Sequence, residues 1–252
     1  MTVRARLDDV RARVATAEDA AGRPPGSVRL LLATKTQPAP AIRAAVAADR
    51  AASAGTGAGT GTGVTARRPV LLGENRVQEL TAKAPDLADL GVELHLIGPL
   101  QSNKVNQALR WVTCVQSVDS LALAERLARR CLDTDRELDV LVQVNVSGER
   151  TKHGVPPDAA VDLARRVAAL DRLHVRGLMT VGANSPDPDR VRAGYRLLRE
   201  LRDQVLVSGA PGTAGAVELS MGMSGDLELA IAEGATLVRV GTAVFGARPP
   251  LA

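Results

Sequence analysis

The chain has 252 residues, of which 45% are hydrophobic and 24% charged, and its 32 basic and 28 acidic side chains give a net charge of +4. A length of about 250 residues suits one or two domains, or a single (β/α)8 barrel. No apolar run approaches the roughly 18 residues that cross a bilayer, the opening MTVRARLDDV is too charged for a signal peptide, and the two cysteines form no CxxC pair, so we expect a cytoplasmic protein. Basic residues never run beyond pairs and only three aromatic residues are available to stack bases, which argues against nucleic acid binding.

The chain opens with an amphipathic helix, because Val3, Leu7, Val10 and Val14 follow a helical spacing up to the Gly- and Pro-containing segment 22–26. Eight short apolar runs then predict strands at residues 29–34, 69–73, 93–98, 113–118, 139–144, 174–179, 217–221 and 237–241. Helical patterns separate them at residues 40–51, 75–84, 103–110, 120–132, 157–170, 189–207 and 226–233.

Eight strands that alternate with helices predict an α/β protein with a parallel sheet. The count of eight favours a single closed (β/α)8 TIM-type barrel over residues 1–252 rather than an open doubly wound sheet. Few residues follow the last strand, so we expect the N-terminal helix to complete the outer ring of the barrel.

One segment breaks the alternation of strands and helices. Residues 53–63 read SAGTGAGTGTG, with glycine at every second position. A phosphate-binding loop would need a GxGxxG spacing or a following lysine, and neither is present. We therefore predict a flexible glycine-rich insertion at about residues 53–66, since such compositions behave as flexible linkers.

Active sites of (β/α)8 barrels lie at the carboxyl ends of the strands, where Lys35 is the first candidate. It follows the apolar run RLLLAT and is one of only four lysines, the other 28 basic residues being arginine. Poor solvation lowers the pKa of a lysine and frees its amine to attack a carbonyl. A lysine that extends from a strand end to solvent fits this position equally well.

The last two predicted strands end in groups that bind anions. Ser220-Met221-Gly222-Met223-Ser224-Gly225-Asp226 offers hydroxyls and a following helix, although Ser224 or Asp226 would also serve as a helix cap. Arg239, Gly241 and Thr242 add a cation, an accessible backbone and a hydroxyl at the usual phosphate site of this fold. A lysine opposite a phosphate site suggests pyridoxal phosphate, with a phosphorylated sugar or aldol substrate as the alternative.

Seven segments carry a resemblance to a known family. They are LLATKTQ around Lys35, GENRVQE at 73–79, HLIGPLQSNK at 95–104, VNVSGERTKHG at 144–154, GLMT at 177–180, LSMGMSGD at 219–226 and RVGTAVFG at 239–246. In this order they resemble the pyridoxal phosphate homeostasis proteins, which are single-domain relatives of the N-terminal barrel of alanine racemase. The glycine-rich stretch and Leu72, where an aromatic residue often precedes GEN, depart from the family pattern.

The resemblance implies roles for individual residues. Lys35 would hold pyridoxal phosphate as an aldimine, Arg239 would face the pyridine nitrogen, and Ser220, Gly241 and Thr242 would bind the phosphate. Asn75, Met221 and Gly222 would complete the cofactor site. No metal is expected, because the three histidines are dispersed.

The resemblance also implies a function. The protein would buffer or carry pyridoxal phosphate without dedicated catalysis, delivering it to apo-enzymes, as a monomer or weak dimer. The alternative is a racemase-like pyridoxal phosphate enzyme. Racemases of this type use a tyrosine from a second domain, which we expect to be absent here, and Tyr195 lies in a predicted outer helix.

Overall fold

The computed structural model describes residues 1–55, 68–149 and 151–246. Eight parallel strands close into a barrel in chain order, with β8 pairing back onto β1. The strands are β1 (Arg29–Ala33), β2 (Leu71–Glu74), β3 (Leu94–Leu96), β4 (Cys114–Val118), β5 (Leu138–Gln143), β6 (Leu173–Met179), β7 (Glu218–Met223) and β8 (Leu237–Val240). The predicted closed barrel is confirmed. The glycine-rich insertion lies, from residue 56 onward, outside the described residues.

The helices form a ring around the barrel. They are α1 (Val3–Ala20), α2 (Ala39–Gly55), α3 (Val77–Lys83), α4 (Val105–Ala108), α5 (Leu121–Asp133), α6 (Pro157–Ala168), α7 (Pro188–Val207), α8 (Leu227–Ala232) and α9 (Thr242–Phe245), with 3-10 helices at Ala84–Leu90 and Ser102–Lys104. The first helix packs against α2, α8 and α9, so it occupies the place in the ring that was predicted for it.

The strands bury both faces, as parallel barrel strands do. On β1, Leu30 and Leu32 belong to the large apolar layer between barrel and helices. Leu31 instead packs inside the barrel with Leu71 and Leu237. Because successive side chains alternate between the two faces, Ala33, the last residue of β1, lies on the same face as Leu31, and Lys35 follows two residues later.

Two predicted boundaries were wrong. The helix expected at 103–110 is a 3-10 turn followed by the single turn α4. Strand β7 continues through Gly222 to Met223, two residues beyond the predicted end at Met221. The register between β7 and β8 shifts between Ser220 and Met223, and Gly222 has φ +88°, so an irregular strand accommodates the glycine that suggested a turn.

Two absences apply to the described part of the chain. No helix there is long and apolar enough to span a membrane. No group of three His, Cys, Asp or Glu side chains is placed to hold a metal ion in those residues.

Candidate functional site

Lys35 lies half-buried just beyond the end of β1, between two residues that the neighbouring β2–α3 segment holds. Thr34 is fully buried, and its hydroxyl donates to Glu74 Oε1 at 2.6 Å. The backbone N–H of Thr36 donates to Glu79 Oε2 at 2.8 Å. Thr36 has φ +63°, a conformation that is rare for a β-branched residue and that costs energy. These contacts fix the backbone on both sides of Lys35.

Lys83 makes three polar contacts beside the same strand end. Its ammonium donates to Glu74 Oε1 at 2.7 Å and to the Thr34 carbonyl at 2.9 Å, and it lies 3.4 Å from Glu79 Oε2. Burial tends to raise the pKa of Glu79, but the Thr36 N–H and the Lys83 charge outweigh it and lower that pKa. Lys83 is therefore a paired structural cation rather than a second candidate amine.

Arg239 is a buried cation with neutral hydrogen-bond partners. Its side chain is on β8, and Nη1 donates to Ser220 Oγ at 2.9 Å while Nη2 donates to the Thr180 carbonyl at 2.7 Å. Burial lowers the pKa of Arg239, yet a guanidinium stays charged at neutral pH. Within residues 1–55, 68–149 and 151–246, no carboxylate oxygen lies within 4.0 Å of it. An electron-rich ligand would offset this unpaired buried charge.

Ser220, predicted as a phosphate ligand, lies fully buried on β7 beside Arg239. Its hydroxyl donates to Gln116 Oε1 at 2.7 Å, so both of its observed partners belong to the barrel interior. Its role at the phosphate stays a prediction. Gln116 had no place in the sequence analysis, because one glutamine within an apolar strand gives no local signal of function.

Met221 and Gly222 have no polar side-chain group that could bind a ligand. Met221 is fully buried in the apolar layer between the barrel and the helices. A Cβ on Gly222 would lie 2.5 Å from Ala230 Cβ, and its φ of +88° also favours glycine. Only the backbone of these two residues is available to a cofactor.

The turn after β8 places Gly241 and Thr242 next to the end of β1. A Cβ on Gly241 would lie 3.2 Å from the Ala33 carbonyl oxygen, so glycine permits this close approach. Thr242 is exposed at the start of α9. The predicted lysine and two of the predicted phosphate residues, Gly241 and Thr242, are therefore at adjoining strand ends.

The sequence places Ser224 in the anion-binding segment after Ser220, with a helix cap as the alternative, and in the structure its hydroxyl contacts the turn after β8. Its hydroxyl accepts from the backbone N–H groups of Gly241, at 3.4 Å, and Ala243, at 3.3 Å. Asp226 precedes α8 but makes no side-chain capping bond.

Asn75 follows β2 and is half-buried at the carboxyl edge, next to the end of β1. A Cβ on Gly98 would lie 2.1 Å from the Asn75 carbonyl oxygen. The glycine after β3 is thus needed for the backbone of Asn75 to lie where it does. The motifs at 73–79 and 95–104 meet at this contact.

Comparison with known proteins identifies the family. The sequence matches the alanine racemase N-terminal domain over residues 6–249. It is 40% identical over 247 residues to a pyridoxal phosphate homeostasis protein of Pseudomonas aeruginosa, covering 98% of this chain and 96% of that protein. The chain belongs to the pyridoxal phosphate homeostasis protein family.

Solved structures agree with this membership of the homeostasis protein family. An unknown protein from Bifidobacterium adolescentis is 43% identical, with a TM-score of 0.85 over 96% of this chain and 94% of that one. PipY of Synechococcus elongatus, solved with pyridoxal phosphate bound, is 34% identical, with a TM-score of 0.78 over 97% of this chain and 100% of PipY.

Proposed function

We propose that this protein binds pyridoxal phosphate reversibly, with the cofactor held covalently on Lys35, and that it buffers or carries the cofactor within the cytoplasm. The observation that carries the proposal is that Lys35 follows β1, while the buried Arg239 and the Gly241–Thr242 turn belong to β8, the strand that pairs with β1. The names of the relatives and the ligand bound to PipY support the choice of pyridoxal phosphate.

At the lysine end, the residues around the strand terminus would hold the reacting amine. Bound pyridoxal phosphate supplies an aldehyde that bonds to an amine and a ring that withdraws electrons. Lys35 would supply the amine, and the contacts of Thr34 and Thr36 with the β2–α3 segment would hold its backbone. Asn75 would line the same edge.

At the ring end, Arg239 would donate an N–H to the pyridine nitrogen. Because a guanidinium is only a donor, this contact would keep that nitrogen unprotonated and make the ring a weaker electron sink. A weak electron sink disfavours carbanion chemistry. The arrangement therefore suits storage of the cofactor better than turnover of amino acids.

At the phosphate end, hydroxyls and backbone N–H groups would meet the anion. Thr242 would supply its exposed hydroxyl, and Gly241 would turn its backbone N–H, which in this structure donates to Ser224 Oγ at 3.4 Å, toward the anion. Ser220 is the hydroxyl that the family resemblance adds, and Met221 and Gly222 can contribute only backbone groups. Ser224 lies against the N–H of Gly241 and is the addition that the geometry suggests.

Titration and transfer together test the proposal. Purified protein is titrated with pyridoxal phosphate while the visible absorbance is followed, and the loaded protein is then mixed with an apo-aminotransferase. We expect a saturable band at one cofactor per chain and recovery of aminotransferase activity. Lys35→Arg, loaded in the same way, should restore no more aminotransferase activity than a control without the protein. A missing band, or a band that never yields cofactor to the apo-enzyme, would contradict the proposal.

We also propose which partners and which oligomeric state this function involves. The cofactor would pass to apo-enzymes, and the protein would act as a monomer or weak dimer. Light scattering at two protein concentrations tests the second point. A mass of two chains that persists on dilution would contradict it.

A further inference from the structure

A chain of hydrogen bonds crosses the inside of the barrel. It starts at Arg239 on β8, passes through Ser220 on β7 and Gln116 on β4, and reaches His95 on β3. The distances are 2.9 Å from Arg239 Nη1 to Ser220 Oγ, 2.7 Å from Ser220 Oγ to Gln116 Oε1, and 2.8 Å from Gln116 Nε2 to His95 Nδ1. All four residues are buried, with at most 6% of any one exposed.

The chemistry of the donors gives this chain one direction. A guanidinium can only donate, so Ser220 Oγ accepts from Arg239 and has a single proton left to give to Gln116 Oε1. The amide carbonyl of Gln116 is thereby turned toward Ser220, and its NH₂ toward His95. His95 Nδ1 must then accept, which leaves the ring proton on Nε2.

The far end of the hydrogen-bond chain lies near the end of the barrel that is formed by the amino ends of the strands. His95 Nε2 lies 3.6 Å from Glu93 Oε2, and Glu93 also pairs with Arg29 at 2.8 Å. Glu93 precedes β3 and Arg29 begins β1, so both lie at the amino ends of the strands. The half-exposed Glu93 carboxylate therefore lies within ion-pair distance of the His95 ring, at the end of the hydrogen-bond chain that starts at Arg239.

We propose that Ser220, Gln116 and His95 are positioning residues, whose one-directional hydrogen-bond chain fixes the guanidinium of Arg239 toward the cofactor ring and couples it to the tautomer of His95. The inference rests on the proposed function and deepens it. It assigns the only proton of Ser220 to Gln116, so Ser220 serves the ring end through Arg239 rather than donating to the phosphate.

The first test reads the chain directly, without cofactor. Nitrogen NMR of ¹⁵N-histidine-labelled full-length protein reports which ring nitrogen carries the proton, and His95→Gln assigns the signals. We expect His95 to be the Nε2–H tautomer, and Ser220→Ala to shift its signals while those of the exposed His174 stay unchanged. A proton on Nδ1 in the parent protein would overturn the proposal, as would a His95 signal indifferent to Ser220→Ala.

The second test compares two ligands, pyridoxal phosphate and pyridoxal. Ser220→Ala and Gln116→Leu should each weaken both ligands by the same factor, about tenfold or more, as expected for losing an ordered hydrogen bond to a charged group. Ser208→Ala is the matched control, because that hydroxyl donates to the Val205 carbonyl and accepts from the Ala210 N–H at the end of α7, and so takes no part in the hydrogen-bond chain. A loss confined to pyridoxal phosphate would make Ser220 a phosphate ligand and overturn the proposal.

The two tests separate the failure of this inference from the failure of the proposed function. If the parent protein binds neither ligand, the proposed function is contradicted. The tautomer of His95 still shows whether the hydrogen bonds are oriented as proposed. If a variant does not fold, the parent protein supplies the decisive readout. Pyridoxal phosphate should shift its His95 signals as the visible band appears, and unchanged signals would contradict the coupling.

Discussion

Tyr195 on α7 donates its hydroxyl to Asp226, which follows β7, at a distance of 2.7 Å. The other carboxylate oxygen of Asp226 accepts from the backbone N–H of Met223 at 2.6 Å. Tyr195 is fully buried, and burial together with the charge of Asp226 raises its pKa far above the ordinary value for tyrosine. The only tyrosine of the chain therefore ties α7 to the end of β7, and its raised pKa favours the protonated hydroxyl near neutral pH.

This relationship predicts that the protein is a poor racemase. Racemisation needs a proton removed from one face of a carbon and returned on the other, and each positioned acid–base group contributes about 10²–10⁴-fold. Lys35 can serve one face, but Tyr195 is committed to Asp226, and Arg239 would weaken the electron sink. Incubation of loaded protein with each enantiomer of alanine should give inversion no faster than free pyridoxal phosphate does. Turnover at the enzymatic scale of about 1–10³ per second would favour the racemase-like alternative.

The phosphate end gives a prediction that compares two forms of the ligand. Thr242→Ala should weaken binding of pyridoxal phosphate by about 1.5–3 kcal/mol, the range for a hydrogen bond to a charged group. Pyridoxal, which lacks the phosphate, should bind the variant and the parent alike. Thr134→Ala is the control, since Thr134 is also an exposed threonine but caps α5. Equal losses for both ligands would place Thr242 at the ring or in the fold.

Glu93 predicts a pH-dependent contribution to stability. The nearby His95 ring, with Nε2 at 3.6 Å, and the Arg29 guanidinium lower the pKa of Glu93 from 4.5 to about 2. A folded-state pKa below the unfolded value stabilises the fold above pH ~4.5, and this contribution disappears as the pH falls toward 2. Half of the side chain is exposed, so screening reduces the effect to about 1 kcal/mol.

Urea denaturation of Glu93→Gln and parent protein at several pH values measures this contribution. We expect the variant to unfold with a free energy about 1 kcal/mol lower at neutral pH. The two proteins should converge as the solution approaches pH 2. A difference that stays constant over this range would show that Glu93 acts through packing rather than charge.

The barrel could be predicted from the sequence because its signals are local. Each strand shows as a short apolar run, and the count of eight with alternating helices leaves little choice of architecture. The end of β7 was missed because Gly222 carries the same signal in an irregular strand as in a turn. The helix predicted at 103–110 was too long, because a helical pattern does not by itself fix where a short helix begins and ends. Only four of those eight residues form α4.

In the candidate site, too, some residues could be predicted from local sequence and others could not. Lys35, Gly241 and Thr242 were predicted because each follows a strand directly, and their strand ends do adjoin. Gln116 and His95 could not be predicted, because what gives them meaning is contact across the barrel. Gln116 and Ser220 are 104 residues apart in the chain, and no local pattern reports a pairing at that separation.

Reduction with borohydride followed by peptide mass mapping tests the central claim most directly. The protein is loaded with pyridoxal phosphate, reduced so that any bond between the cofactor and a lysine becomes permanent, and digested. We expect one label, on Lys35, and no label or visible band in Lys35→Arg, because arginine keeps the charge but cannot form that bond. Lys152→Arg is the control, since Lys152 is paired with Glu149 and should leave the label in place. A label on Lys83, Lys104 or Lys152 in the parent protein would contradict the account.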